Sequence, residues 1–408
     1  MQKQLLIIGN GFDLACELKS KYIDFYNSSI KGKYFFDPDN VENFWQILLC
    51  YYEEKNNKAE SYNWCDIENI INKTLCLINF GVSPISGLFW SVWNSIKSPT
   101  EITDKDYVND FIMKYCMRFC YKNFFNEISP FSKVKTSLED KKKAFNNHLL
   151  NELKNLEKLF CKYLKSQVND EYYVKAVNLL SDIVNASSSF KDQVAGENNL
   201  VNELPRFKSV EELQLKLKSS RIIFNCLKHT NILSFNFTRP LRYITEAMFC
   251  LFSNVHGKLC INDKDCEQCS YLDVIFGIDD KVVQSHEESG NIRLFSKTYR
   301  TLFRGSKRTV LPSKNELITV KFFGHSLNEA DYSYFQSIFD YYDIYDSNIS
   351  LEFYYTQFKP DAKDEITDAV YKLINEYGLT LNNKDQGKNM IHKLILENRI
   401  RIKELEKM

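Results

Sequence analysis

Short polar motifs follow several apolar runs of this sequence, and their residue types are those that bind sugars and phosphates or transfer protons. In chain order they are Gly9-Asn10-Gly11 with Asp13, Asn236 with Thr238, His256, and Gly324 with Ser326 and Asp331. Glycine N–H groups bind phosphate, and imidazole transfers protons near neutral pH. Because the carboxyl ends of parallel strands meet at one edge of an α/β sheet, where ligands bind, we expect these motifs to lie close together.

The first motif stands in the segment LLIIGNGFDLA. We predict a strand over residues 4–8, a loop, and a helix from about Asp13. Gly9 and Gly11 would let N–H groups approach a phosphate beside the positive end of that helix. Asp13 would cap the helix or accept a hydrogen bond from a ribose hydroxyl. Since Leu14 stands where a dinucleotide fingerprint has its third glycine, an ordinary tight turn stays open.

Each later motif also has an interpretation that needs no ligand. Asn236 and Thr238 would contact a ligand or cap a loop. His256 would transfer a proton or serve only the structure. Ser326 and Asp331 would bond to a ribose or an adenine edge, or cap the helix that follows them.

Composition and charge narrow the class of protein. The 408 residues hold 53 Lys and Arg and 53 Asp and Glu, so the formal net charge is zero. This argues against stable binding of nucleic acid or of an anionic membrane. The N-terminal apolar run is too short for a signal peptide, and no uncharged run is long enough to span a bilayer. We therefore predict a cytoplasmic protein with reduced thiols.

The order of the apolar patterns predicts an α/β fold. The strand-like runs are LLII, RIIFN, NILSF, LDVIFG, LITVKFFG and ISLEFYYTQF, with helical patterns between several of them. This alternation predicts a Rossmann-like, mainly parallel sheet formed by residues 1–39 and 221–380. Residues 40–220 are predicted to be a helical insertion. Residues 381–408 are predicted to be a charged C-terminal helix that could serve a homo-oligomer.

Two further groups of side chains are weaker candidates. Asp66 and Glu68 stand two residues apart in a helical pattern, which turns them about 200° from each other, so charge on the helix surface is the alternative. A spacing that could ligate zinc is formed by His256, Cys260, Cys266 and Cys269. The histidine has a competing role, however, and reduced loop thiols are the alternative, so zinc is not expected.

The order of the motifs resembles that of the sirtuin-like superfamily of NAD-binding proteins. The series G-N-G, N-F-T, H-G, V-I-F-G and F-G-H-S-L follows the superfamily's order, and Asp24 lies after the first loop much as the sirtuin Asp does. A closer resemblance, to the AbiH family of bacterial phage abortive-infection proteins, is carried by IGNGFDLACELKSKYIDF, WCDIE, VHGKL, VIFGIDD and GHSLNEADYSYF. The WCDIE segment keeps Asp66 and Glu68 among the candidate site residues.

This resemblance implies a site. The residues that it implies for NAD binding are Gly9, Asn10, Gly11, Asp13, Asp24, Thr238, Gly324, Ser326 and Asp331. Within this set the Gly-Asn-Gly loop would hold the pyrophosphate, and Ser326 with Asp331 would bind the adenosine half. Asn236 would hold the nicotinamide ribose or orient a water, and His256 would act as general base.

The resemblance also implies a function. The protein would be an antiphage effector that hydrolyses NAD to nicotinamide and ADP-ribose once a phage-derived trigger is present. The alternative is a non-catalytic sensor of NAD or ADP-ribose, favoured by Thr238, which stands where sirtuins carry an Asp. A nuclease has little support, because the sequence shows neither a paired-acid metal motif nor a surplus of basic residues.

Overall fold

The chain divides into two compact units. The computed structural model describes residues 2–31, 43–56, 64–80, 112, 115, 123, 137–186, 206–219, 229–241, 251–259, 274–278, 289–304 and 310–405. Unit 1 comprises Met1–Ser20, Leu164–Ile261 and Ser306–Met408, and unit 2 comprises Lys21–Tyr163 and Asn262–Gly305.

The strands of the described residues all belong to unit 1, and the helices are shared between the units. The strands are β1 (Lys3–Ile8), β2 (Thr230–Ser234), β3 (Phe252–Asn254), β4 (Leu317–Phe323), β5 (Ser350–Tyr355) and β6 (Ile400–Glu404). The first α-helices are α1 (Asn10–Ala15), α2 (Tyr22–Ser29), α3 (Phe44–Asn56), α4 (Trp64–Phe80), α5 (Leu138–Gln167) and α6 (Asp170–Asn185). The later ones are α7 (Val210–Ser219), α8 (Lys297–Arg304), α9 (Tyr332–Tyr342), α10 (Ala362–Thr380) and α11 (Lys384–Leu396).

The strands form one sheet in the order β3-β2-β1-β4-β5-β6. Every neighbouring pair is parallel. This is the strand order of doubly wound Rossmann folds, in which the chain direction across the sheet reverses between the first and fourth strands. The predicted α/β fold with a mainly parallel sheet is therefore confirmed. The carboxyl ends of β3, β2, β1 and β4 lie side by side, and we call this the carboxyl edge.

Apolar side chains cover one face of the sheet and pack against α9. Leu5 and Ile7 of β1 are fully buried, as expected for a strand in a parallel sheet with both faces covered. Phe322 of β4 stacks on Phe353 of β5, with ring centroids 4.6 Å apart. Phe335 of α9 meets the Phe322 ring edge-on. The apolar face thus holds α9, and with it the loop that precedes α9, at the carboxyl edge.

The opposite face of β4 carries a buried cation that ties the sheet to α6. Lys321 is fully buried, and its Nζ donates to the carbonyl oxygens of Ile183 and Val184 at 2.9 Å each. These carbonyls lie in the last turn of α6, where the helix carries partial negative charge. On the next strand the buried Glu352 carboxylate accepts from the Tyr354 hydroxyl at 2.6 Å.

Unit 2 is mainly helical and contains the segment VIFG, which the sequence predicted to be part of a strand. Residues 274–278 instead make an isolated bridge, between Ile278 and Ser296. The buried Glu157 carboxylate of α5 accepts from the Phe276 N–H at 2.7 Å and from Arg300 at 2.6 Å. Arg300 also donates to the Phe276 carbonyl at 2.8 Å. The strand prediction is wrong here because side chains satisfy the backbone groups that a strand partner would otherwise bond.

Some predicted boundaries also differ from the structure. α1 begins at Asn10 rather than near Asp13. The predicted C-terminal helix is wrong at its end, since α11 ends at Leu396 and β6 follows. Ile400 and Ile402 alternate with charged residues, which is the period of a strand. Residues 164–219, which were predicted to be part of the helical insertion, belong to the same compact unit as the sheet. Residues 262–305, which were predicted to be part of the sheet domain, belong to unit 2. The predicted run RIIFN lies outside the described residues.

None of the helices within the described ranges is both long enough and apolar enough to cross a membrane.

Candidate functional site

The glycines after β1 lie against the loop after β4, at the point where the strand order reverses. The Gly11 N–H donates to the Gly324 carbonyl oxygen at 2.7 Å, and the Gly9 N–H donates to that of Phe323 at 3.1 Å. A Cβ on Gly11 would lie 2.7 Å from the Gly324 Cα, and one on Gly9 would lie 2.6 Å from the His325 Cα. Close approach of two backbones therefore requires glycine here. The predicted role of this loop in phosphate binding stays a prediction.

Asn10 uses its side chain within unit 1. Its Oδ1 accepts from the Ser20 hydroxyl at 2.6 Å, and its Nδ2 donates to the Ser20 carbonyl oxygen at 3.4 Å. The loop of β1 is thereby tied to the segment that follows α1.

Asp13 is a buried carboxyl group, and its predicted role as helix cap is wrong. It is the fourth residue of α1, and the N-cap position belongs to Gly9. Its Oδ1 accepts from the Tyr172 hydroxyl of α6 at 2.7 Å. The Thr238 hydroxyl lies 2.8 Å from Oδ2 and 2.9 Å from Oδ1. The Asp13 carboxyl group therefore lies beside Thr238, the position at which sirtuins carry an Asp.

Burial perturbs the acidity of Asp13. Desolvation raises the pKa of Asp13 from 3.8 to about 6, and hydrogen bonds from Tyr172 and Thr238 limit the rise. The Asn236 amide acts on this pKa in the same direction as those hydroxyls. The carboxyl group thus changes charge close to physiological pH, a property that is common among residues of functional sites.

Asn236 follows β2 and has a fixed backbone but an unsatisfied side chain. Its N–H donates to the Ser234 hydroxyl at 3.2 Å, and its carbonyl oxygen accepts from Asn254 Nδ2 at 2.7 Å. The residue is 3 % exposed. Neither Oδ1 nor Nδ2 makes a hydrogen bond of ordinary geometry to any described residue. A buried polar group left without a hydrogen bond costs about 1–3 kcal/mol.

His256, Asp331 and His325 form a row of polar side chains between the ends of β3 and β4. His256 Nε2 lies 3.2 Å from Asp331 Oδ1. His325 Nε2 lies 3.4 Å from Asp331 Oδ2. Both imidazoles are at least nine-tenths buried. One carboxylate therefore contacts two imidazoles that stand far apart in the sequence.

An aromatic side chain separates this row from the core. Phe235, directly after β2, meets the His325 ring edge-on at 4.6 Å and the His256 ring at 5.6 Å between centroids. Tyr334 of α9 contacts the His256 ring at 5.5 Å. The imidazoles are thus held by rings on several sides, which restricts the orientation of their planes.

The loop between His325 and α9 has a strained backbone. Leu327 has φ of 53°, which is the left-handed region and costs a bulky residue about 1–2 kcal/mol. The Leu327 N–H donates to His325 Nδ1 at 2.9 Å, and its side chain is buried. Ser326 beside it is exposed. His325 was not among the predicted site residues, and the signal available for it in the sequence was its position directly after the loop glycine Gly324.

The predicted site residues Asp24, Asp66 and Glu68 belong to unit 2. The Asp24 carboxylate accepts from the Lys21 N–H at 3.3 Å and so caps α2. Glu68 of α4 pairs with the buried Lys297 at 2.5 Å. Asp66 lies in the same helix, one residue before Ile67. The cysteines proposed as zinc ligands, which are Cys260, Cys266 and Cys269, lie outside the described residues.

Comparison with known families decides the relationship of the chain. The model of the family described as bacteriophage abortive infection AbiH matches residues 5–355. The chain belongs to the AbiH family. The match extends from β1 to β5 and includes every candidate residue of the carboxyl edge, so the predicted family is confirmed, and with it a role in phage abortive infection. No curated protein and no solved structure matches this AbiH chain, and the sirtuin-like relationship stays a prediction.

Proposed function

We propose that this AbiH protein binds NAD at the carboxyl edge and hydrolyses the bond between nicotinamide and ribose, so that infected cells lose NAD. The single observation that carries the proposal is the buried Asn236 amide, whose oxygen and nitrogen make no hydrogen bond of ordinary geometry to the described residues, although the amide lies close enough to Asp13 to lower the pKa of that carboxyl. A ribose hydroxyl or a bound water donates one hydrogen bond and accepts another. Either would therefore satisfy both amide atoms, at a position beside the Asp13 carboxylate and at the end of β2.

The proposed reaction needs three things from the protein. The bond from the ribose C1′ to the nicotinamide nitrogen breaks, and its electron pair stays with the nitrogen. Water adds to C1′ and gives up one proton, so the products are nicotinamide, ADP-ribose and a proton. The site must hold the ribose, stabilise growing positive charge, and accept that proton.

Residues of the carboxyl edge suit each of these tasks. Asn236 would hold the ribose or orient the water. The Asp13 carboxylate, ionised above pH of about 6, adds negative charge on the same side of the sheet. His256, with a carboxylate on its Nε2, would accept the proton, since an imidazole is a good base near neutral pH.

Binding of the rest of NAD would use the loops at the reversal point of the sheet. The exposed Ser326 hydroxyl is available to the adenosine half. The loop of Gly9 and Gly11 lies where doubly wound sheets place a pyrophosphate. We further propose that a phage-derived trigger activates the protein and that it acts as a homo-oligomer.

One observation favours a second candidate function, a sensor that binds the nucleotide without cleaving it. The Gly9 N–H already donates to the carbonyl of Phe323 at the end of β4, and the Gly11 N–H donates to that of Gly324 in the loop after it. A phosphate that took these donors would open the contact between the two loops. Such an opening would report nucleotide binding to the rest of the protein without any chemistry.

Nicotinamide release from NAD tests the first proposal. The purified full-length protein is assayed as wild type, His256→Ala and Asn236→Ala, beside His392→Ala, which removes an exposed histidine of α11. The same variants are tested for phage protection and intracellular NAD during infection. Release and NAD loss with wild type and His392→Ala alone would support hydrolysis. Binding of NAD without nicotinamide release by the purified protein, and without loss of NAD in infected cells, would favour the sensor.

A further inference from the structure

The hydrogen bonds in the row formed by His325, Asp331 and His256 determine which nitrogen of each imidazole is protonated. The Leu327 N–H donates to His325 Nδ1 at 2.9 Å, so this nitrogen carries no proton. A neutral imidazole has its proton on the other nitrogen, and His325 Nε2 therefore presents an N–H to Asp331 Oδ2, 3.4 Å away. The Leu327 N–H at the start of this row can only donate, so the direction of each hydrogen bond that follows it is fixed.

The other oxygen of the Asp331 carboxylate fixes the position of the proton on His256 in the same way. An ionised carboxylate only accepts hydrogen bonds. His256 Nε2, 3.2 Å from Asp331 Oδ1, must then carry a proton. In the neutral ring the lone pair of His256 consequently stands on Nδ1.

We infer that Asp331 is a positioning residue that holds His256 as the tautomer protonated at Nε2, so that Nδ1 of His256 is the atom that accepts the proton in the reaction. The inference rests on the proposed function for its chemical meaning, and it replaces the predicted contact of Asp331 with adenosine. Ring contacts from Phe235 and the strained Leu327 backbone hold the same arrangement. The water or hydroxyl that gives up its proton must then approach the Nδ1 side of the ring.

The substitution Asp331→Asn tests this because an amide offers one acceptor and one donor in place of two acceptors. The Leu327 N–H still fixes His325, so the amide oxygen will face His325 and the amide N–H₂ will face His256. His256 must then accept at Nε2 and carry its proton on Nδ1, where it cannot act as base. A carboxylate-to-amide change that forces the wrong tautomer costs on the order of 10²–10⁴-fold in kcat, with KM little changed.

The first readout is the tautomer itself, which needs no substrate. Long-range ¹H–¹⁵N correlation spectra of the full chain with ¹⁵N-labelled histidine show which ring nitrogen is protonated, and His256→Gln assigns the signals. We expect His256 to be protonated at Nε2 in wild type and at Nδ1 in Asp331→Asn. Asp368→Asn, at an exposed position of α10, should leave the signals unchanged. A wild-type His256 protonated at Nδ1 overturns the inference.

The second readout is nicotinamide release, and it separates the two proposals. Hydrolysis together with the expected tautomers supports both. The expected tautomers without hydrolysis uphold the placement of the proton by Asp331 and count against the proposed function. Hydrolysis with unchanged tautomer and unchanged kcat in Asp331→Asn overturns the inference alone. If Asp331→Asn does not fold, Asp331→Glu keeps both acceptors and should retain the Nε2-protonated His256, whereas loss of that tautomer contradicts the inference.

Discussion

Replacing Asp13 by Asn should change how the stability of the protein depends on pH. Burial raises the pKa of Asp13 from 3.8 to about 6, so between these two values the folded protein binds a proton that the unfolded chain has released. The stabilisation from this proton is fully present below about pH 4. It is lost as the pH rises through 6. At roughly 1.4 kcal/mol per pH unit the loss amounts to about 3 kcal/mol.

Asparagine keeps an oxygen that can accept from the Tyr172 hydroxyl but it does not titrate. The difference in free energy of unfolding, variant minus wild type, should therefore become more positive by about 3 kcal/mol between pH 4 and pH 7.5. Other groups titrate alike in both proteins, so they cancel in the difference. Asp368→Asn, an exposed carboxyl of α10, should show a difference near zero throughout.

Urea unfolding followed by circular dichroism at half-unit pH steps measures this difference. A difference that stays constant with pH would refute the conclusion that desolvation of Asp13 dominates its hydrogen bonds. A difference that falls with pH would mean that the hydroxyls of Tyr172 and Thr238 outweigh burial, and that the carboxylate is stabilised by folding.

Three other substitutions test the fold around the site. Gly11→Ala should cost about 1–3 kcal/mol, because the new Cβ would lie 2.7 Å from the Gly324 Cα; a melting temperature equal to that of wild type would contradict the close approach of the two loops. Lys321→Met should cost about 3 kcal/mol in urea unfolding, because it removes the cation bonded to the end of α6. Lys363→Met, on the exposed side of α10, should change it by less than about 0.5 kcal/mol, and equal effects of the two would count against the buried cation. Glu68→Gln should lower stability by about 1 kcal/mol while phage protection is retained, since Glu68 pairs with Lys297; loss of protection by a folded variant would return Glu68 to the functional site.

Local sequence patterns determined much of the fold. The apolar run before Gly9 and the run LITVKFFG predicted β1 and β4, because consecutive apolar residues are the signature of strands buried on both faces. Glycine at positions 9, 11 and 324 indicated tight loops, and the structure gives the reason in the close approach of two backbones. The family could also be predicted from the sequence, since its motifs are short contiguous segments.

Local patterns gave wrong predictions where side chains bond the backbone in place of a neighbouring strand, and where a helical period is followed at once by the period of a strand. The backbone at Phe276 bonds to Glu157 and Arg300, which no reading of VIFG alone could show. After α11 the alternation of Ile400 and Ile402 with charged residues was outweighed by the helical pattern before it, although it predicts the strand that the structure contains.

Only the tertiary structure decided which polar side chains meet. Asp13 contacts Thr238 across 225 residues of sequence, and His256 contacts Asp331 across 75. These pairs depend on the strand order, which places the ends of β1 and β2, and the loops of β3 and β4, at one edge of the sheet. The sequence by itself determined which residue types stand after each strand, because local periodicity marks the strand ends. Their partners, and hence the charge and tautomer of each group, follow from strand order and burial, which are properties of the folded chain as a whole.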